Sequence, residues 1–299
     1  MTDAYPMFRH IASTHFLAGL ALLLLLAPTH ALRADTPAIA TLDWTIAETL
    51  VALGVAPQAV AQTDAYRDWV GEPPLPASVT DLGLRTQPNL ELLASLEPER
   101  ILISPMFANL TPRLSRIAPV ENLSLYTPEG DTWEQMGKLT RQVAQLVGRP
   151  HAGERLIADA EAYLASLRTT LDSSNHSPLL IVQFMDERHV RVFGNNGLYQ
   201  AVLDRLGLVN AWQGQTNDWG FSLVGIEALV DIEARLVVVE PYPVGVKAQL
   251  ANSGLWQHLP SVRDDTLITL PPVWSFGALP SAKRFATELV AALGGSNGN

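Results

Sequence analysis

The chain of 299 residues has no cysteine. That excludes disulfides, thiolate metal sites, a cysteine nucleophile and the lipidated cysteine of a bacterial lipoprotein. Histidine is sparse: beyond residue 31 only His151, His176, His189 and His258 occur. They are scattered, with no carboxylate or second His at metal-ligand spacing, and read as surface or capping residues. Tyrosines are few and separated, so the Tyr, His and carboxylate cluster that a bare ferric ion needs is missing. Basic runs are missing too. Twenty Lys and Arg stand against thirty Asp and Glu, a net charge of −10, which argues against a nucleic-acid partner. The sequence holds no G-x-S-x-G elbow, no H-E-x-x-H, no phosphate loop and no G-x-G-x-x-G after a strand. These absences make an enzyme the weaker reading, and no cofactor is expected.

Apolar residues make up 47% and charged residues 17% of a 32.5 kDa chain. This is a globular composition, large enough for one big α/β domain or two lobes with cores. Residues Phe16 to Ala27 form the one long apolar run. About a dozen residues match the core of a secretory signal and fall short of the roughly 20 that span a membrane. Arg9 and His10 precede it and Pro28 ends it. Thr29-His30-Ala31 offers small residues for cleavage after Ala31, with Ala34 as the second choice; an uncleaved anchor is the alternative. No later segment is long and apolar enough to span a bilayer. The expectation is a signal peptide over 1–31 and an exported, periplasmic product.

The remaining pattern alternates short apolar strands with amphipathic helices, which predicts mainly parallel sheets. Strands are expected at Ala38–Leu42, Ala59–Ala61, Arg100–Ser104, Leu179–Phe184, Val190–Phe193 and Leu236–Glu240. Helices are expected at Trp44–Leu53, Leu90–Leu96, Gly197–Leu206 and Ser281–Leu293. From Pro150 to Leu171, apolar residues recur at helical spacing with no Gly or Pro after Glu154, which predicts one connecting helix about 30 Å long. The expected division is an N-terminal lobe over 32–149, a helix over 150–171 and a C-terminal lobe over 172–299. NLELLASLEPERILISP at 89–105 is echoed by GIEALVDIEARLVVVEP at 225–241, each reading as helix, tight turn and buried strand. Any βαβ protein produces some echoes. Read as a repeat, this one makes two similar lobes facing across a cleft. Phe107 and Tyr242 then follow the strand ends, where ligands of open α/β sheets bind.

Aromatic residues gather beside turns. Trp69 precedes the Glu72-Pro-Pro-Leu-Pro76 loop, Trp212 and Trp219 flank a polar Gly-punctuated loop, and Trp274 and Phe276 share another. Arg85 lies in Leu82-Gly-Leu-Arg85-Thr86. Each aromatic alone is explained by packing; together they suit a bulky, mostly apolar ligand held by a few polar contacts.

Four segments carry a resemblance: YRDWVGEPPLPASVTDLGLRTQPNLELL, LSRIAP, VFGNNGLYQAVLDRLGLVNAWQGQTNDWG and LPPVWSFGA. The chain resembles the periplasmic ferric hydroxamate siderophore-binding proteins of bacterial iron ABC transporters, over essentially its whole length past the signal. The resemblance implies two α/β lobes bridged by one long helix and a shallow aromatic cleft. It implies a monomer that takes iron only as a siderophore chelate and delivers it to an inner-membrane permease with its cytoplasmic ATPase. Arg85 corresponds to an arginine that donates to the hydroxamate oxygens, and Trp69, Trp219 and Trp274 to pocket indoles. Phe107 and Phe276 stand where the family carries Tyr, which leaves Arg85 as the main polar anchor. Glu227 matches a permease-docking acid of the second lobe. The first-lobe position, near Thr111-Pro112, has no acid, so Glu91 or Glu121 is the substitute. A ferric catecholate, haem or cobalamin as ligand, or a role as exported sensor, are the competing expectations.

Overall fold

The structure is a computed structural model that describes residues 1–2, 37–127, 130–171 and 176–295. The expected signal segment lies outside the described residues. Among them no helix is long and apolar enough to cross a membrane.

Two five-stranded sheets form the frame. The first comprises β1 (Ile39–Thr41), β2 (Ala59–Val60), β3 (Thr80–Asp81), β6 (Arg100–Ile103) and β7 (Val120–Asn122). Its order is β3-β2-β1-β6-β7 and all pairs are parallel. A hairpin of β4 (Gly83–Leu84) and β5 (Gln87–Pro88) stands beside it. The second sheet comprises β8 (Leu179–Phe184), β9 (His189–Phe193), β10 (Phe221–Gly225), β11 (Arg235–Val239) and β12 (Ile268–Leu270). Here β8, β11 and β12 are parallel, while β9 runs antiparallel to both its neighbours, β8 and β10. That antiparallel strand departs from the expected parallel pattern. β8 turns back at Asp186, whose carboxylate accepts from the backbone of Arg188 and His189, so a tight hairpin replaces a helical crossover.

The helices are α1 (Trp44–Ala52), α2 (Thr63–Trp69), α3 (Leu90–Ser95), α4 (Thr111–Leu114), α5 (Thr132–Leu146), α6 (Pro150–Thr170), α7 (Leu198–Leu206), α8 (Val246–Ala251), α9 (Gly254–His258), α10 (Pro260–Arg263) and α11 (Leu279–Gly295). Local chemistry sets their ends. Asp43, Asn89 and Asp131 cap α1, α3 and α5 by accepting from backbone N–H groups of the first turn. Pro150 occupies the first turn of α6 and Gly207, at φ 74°, ends α7. The helical part of the second echo departs from expectation. Gly225 replaces the capping Asn89, β-branched Ile226 follows, and the segment closes as a single 3₁₀ turn, Ile226–Leu229.

α6 bridges the two lobes as one unbroken helix of 21 residues. One continuous apolar core joins the inner faces of both sheets (Ile39 and Leu102; Ile181 and Val237) through α1, α5, α6, α7 and α11. Separate clusters cover the outer faces, with Ala40 and Ile101 on one sheet and Val182 and Val238 on the other. Alternate strand residues thus bury both faces of each sheet. Gly153 of α6 lies so close to α5 that an added Cβ would come 2.7 Å from the Ala144 Cβ.

Candidate functional site

A depression opens at the carboxyl ends of the strands, fed by segments after β1, β6, β7 and β12. Its walls include Arg85, Ser104, Met106, Tyr126, Trp219, Trp274 and Phe276. Its volume of about 60 Å³ is too small to engulf a drug-sized ligand, so the site can offer a bulky molecule only its mouth. A larger open groove of about 880 Å³ lies at the amino ends of β8 and β11, but no Phe, Tyr or Trp lines it.

Arg85 sits at the tip of the β4–β5 hairpin. The hairpin is fixed by Asp81, whose carboxylate accepts from the backbone N–H of Gln62, Thr63 and Gly83. Gly83, at φ +74°, supplies the left-handed turn that this requires. The Arg85 backbone N–H donates to Gln62 Oε1 at 3.3 Å. Its guanidinium carbon lies 3.7 Å from the Trp44 ring centre and 5.6 Å from that of Trp274. Cation–π attraction holds it over the Trp44 ring, with the Trp274 ring farther off. The Arg85 Nε is buried without a hydrogen-bond partner, and no carboxylate among the described residues pairs with this arginine. Burial lowers its pKa from the ordinary value, an effect partly opposed by Asp43. Ser104, at the end of β6, likewise presents a buried hydroxyl without a partner.

The aromatic wall is a chain of edge contacts. Trp44 meets Trp274 at 4.9 Å, Trp274 meets Phe276 at 5.2 Å, and Phe276 meets Trp219 at 5.7 Å and Phe221 at 5.8 Å. Tyr126 packs on Trp219 at 5.8 Å and donates its hydroxyl to the Gly277 carbonyl at 2.9 Å. Burial pushes the Tyr126 phenol well above its ordinary pKa. Two residues of α1 hold the wall segment from across the lobes. Thr45 Oγ1 accepts from Trp274 Nε1 at 3.0 Å and donates to the Phe276 carbonyl at 2.8 Å. Glu48, wholly buried, accepts from the Ala278 N–H at 2.6 Å and from the Ser281 hydroxyl. Burial raises the Glu48 pKa to about 8.

The structure therefore gathers Arg85, Trp219, Trp274 and Phe276 in one cavity. Three other residues singled out in the sequence stand elsewhere. Trp69 ends α2 half-buried against the core. Phe107 is buried in the outer core of the first sheet, 5.9 Å beneath the Arg85 guanidinium carbon. Tyr242 stacks on Phe184 at 5.3 Å in the outer core of the second sheet. Glu91 and Glu227 are exposed on their respective lobes, whereas Glu121 is ion-paired with Arg100 at 3.1 Å. Asp186 lies within 2.9 Å of His189 Nδ1, so that histidine does have a carboxylate neighbour three residues away, on a hairpin turn. Trp44, Thr45, Glu48, Ser104 and Tyr126 escaped the sequence reading. Trp44 carried the one available signal, an indole directly after a strand end. Among the described residues no three His, Asp or Glu side chains gather as a metal site.

A two-lobed α/β frame, one bridging helix and a shallow cleft at carboxyl strand ends describe the architecture of a binding protein. The chain belongs to the periplasmic binding protein family, which matches residues 39–273. Among individual relatives, it is 38% identical over 269 residues to the iron(3+)-hydroxamate-binding protein FhuD of Escherichia coli (strain K12), covering 89% of this chain and 90% of that protein. The solved structure of the Fe3+–Desferal-bound siderophore-binding protein FhuD from Vibrio cholerae superposes with a TM-score of 0.80 at 27% identity, covering 86% of this chain and 99% of that one. The triscatecholate siderophore-binding protein FeuA from Bacillus subtilis shares the fold, with a TM-score of 0.71 at 19% identity over 86% of this chain and 92% of that one.

Proposed function

We propose that this chain is the substrate-binding protein of an ABC importer for ferric hydroxamate siderophores, capturing iron already chelated and handing it to an inner-membrane permease. One observation carries the reading: the Arg85 guanidinium, partly buried with its Nε shut off from solvent, stacks over Trp44 beside an aromatic cleft and has no carboxylate partner among the described residues. A ferric trihydroxamate is neutral overall, but its chelating oxygens carry negative density. A planar guanidinium suits them through charge-assisted hydrogen bonds. Trp219, Trp274 and Phe276 offer apolar faces to the ligand's organic frame. The shallow mouth leaves the chelate's periphery outside, which suits a family of related chelates. Trp69 and Phe107 remain in this reading as packing behind the cleft, not its lining, and Tyr242 belongs to the outer core of the second sheet.

Haem is the poorer ligand. The cleft offers one phenol, that of Tyr126, already donated to Gly277 and held protonated by burial, so no ready axial ligand faces the opening. Glu227 and Glu91 are the acids proposed to meet the permease. In the exported receptor the signal over 1–31 is removed, leaving lobes over 32–149 and 172–299 about the helix over 150–171. N-terminal sequencing of the periplasmic protein should begin at Leu32, and recovery of intact Met1 in membranes would contradict it.

Tryptophan fluorescence titration with ferrichrome, ferric coprogen, ferric enterobactin and haem tests the function. The two hydroxamates should quench and saturate. Tighter binding of ferric enterobactin or haem than of either hydroxamate would overturn the reading.

A further inference from the structure

A second arginine stands at the far end of the aromatic wall. Arg191, on β9, places its guanidinium carbon 5.3 Å from the Phe276 ring centre and 5.1 Å from that of Phe221. Trp44, Trp274, Phe276 and Phe221 therefore run unbroken from one guanidinium to the other. Although acids outnumber bases in this chain by ten, none forms an ion pair with Arg191 among the described residues. Its one side-chain hydrogen bond goes to a neutral acceptor, Gln183 Oε1, at a long 3.4 Å.

Gln183 supplies the second observation. It is 1% exposed, and its Oε1 also accepts from the Ser275 hydroxyl at 3.3 Å, which fixes the amide's orientation. That leaves Nε2 buried as a donor with no partner. A partly buried cation and an orphaned donor share one small region, and neither has an acceptor of full strength. Buried donors left unpaired are costly and mark a missing acceptor. Burial also lowers the Arg191 pKa, as expected of a cation without a counter-charge.

We infer that Arg191, backed by Gln183, is a specificity-determining contact for an anionic group on the periphery of the bound chelate, so that this protein prefers ferric hydroxamates bearing a pendant carboxylate over neutral ones. The inference rests on the hydroxamate reading. Arg85 addresses the chelating oxygens, which all such ligands share. Arg191 lies at the opposite end of the wall, where ligands differ.

The test uses the exported protein and three ferric desferrioxamine B probes that differ only at the pendant amine: unmodified with its ammonium, acetylated and neutral, and succinylated with a carboxylate. Fluorescence titration should rank them succinylated, acetylated, then unmodified, with about a tenfold or larger gain for the carboxylate. The gain should shrink as salt rises. Arg191→Gln should remove the difference between the succinylated and acetylated probes. Gln183→Glu, which keeps the shape and the Ser275 bond but sets an acid beside Arg191, should do the same. Equal binding of the succinylated and acetylated probes by the parent overturns the inference, as does an undiminished preference in Arg191→Gln. Failure of all three probes to bind overturns the hydroxamate reading itself, and the inference with it.

Discussion

Replacing Glu48 by Gln probes how the two lobes are tied beneath the cleft. Glu48 is 0% exposed, accepts from Ala278 and Ser281, and has no ion pair among the described residues. Asp43, Tyr66 and Tyr126 are the titratable groups that sense it or are sensed by it. Gly277 leaves the room required, since a Cβ there would come within 2.8 Å of Glu48 Oε1. Burial raises the carboxyl pKa from 4.5 to about 8. Between those values the folded chain holds a proton that the unfolded chain has released. Stability contributed by the neutral acid is thus complete below about pH 4.5 and is lost as pH rises through about 8. The slope is at most about 1.4 kcal/mol per pH unit, or about 4–5 kcal/mol over the window as an upper bound. Gln accepts from Ala278 and donates to Ser281 but does not titrate. Denaturant unfolding at pH 5, 6, 7 and 8 should therefore show the parent losing stability relative to Glu48→Gln by about 1 kcal/mol per unit. A difference between the two proteins that is constant with pH, or that moves in the parent's favour as pH rises, would refute the reasoning.

Thr45→Val keeps the shape of a side chain that pairs with both Trp274 Nε1 and the Phe276 carbonyl. Leaving both unpaired should cost about 2–4 kcal/mol in denaturant unfolding, while Thr45→Ser should cost much less. Rigidity is the other expectation. α6 is continuous, and residues 276–281 are bonded to Thr45 and Glu48 of α1. Small-angle scattering should show little change in radius of gyration on binding a ferric hydroxamate, and a large contraction would contradict the single-helix hinge.

The regular elements were legible where a strong period met a clear stop. α6 was bounded within one residue because Pro150 opens it and no breaker interrupts its stripe. β8 was bounded to the residue because six apolar and amide positions run between Pro178 and a turn. Of the strands of two or three residues, β1 and β2 were legible as wholly apolar or small runs, whereas β3, β7 and β12 carry polar residues and too little alternation to be read. α5 was missed although Trp133, Met136, Leu139 and Val143 carry its buried period. In the cleft, Arg85, Trp219, Trp274 and Phe276 were legible because aromatic rings beside Gly- and Pro-rich turns stand out from the regular elements, although Trp274 and Phe276 are themselves largely buried. Glu48 was not: an acid within an amphipathic helix reads as solvent-facing. Its burial depends on Ala278 and Ser281 arriving from more than 200 residues away. Arg191 was not legible because it sits within a strand, where nothing in the sequence marks which face a side chain takes.

The central claim is that Arg85 is the polar anchor of a ferric hydroxamate. Its direct test is fluorescence titration of the parent, Arg85→Ala and Arg85→Lys with ferric desferrioxamine B, with unfolding midpoints recorded to separate binding from stability. Losing a charge-assisted bond to a desolvated oxygen should weaken affinity by about ten- to a hundredfold, about 1.5–3 kcal/mol. Arg85→Lys should fare nearly as badly, because a point charge reproduces neither the fork nor the stack on Trp44. If a folded Arg85→Ala binds as tightly as the parent, the anchor lies elsewhere and the account of the cleft is wrong.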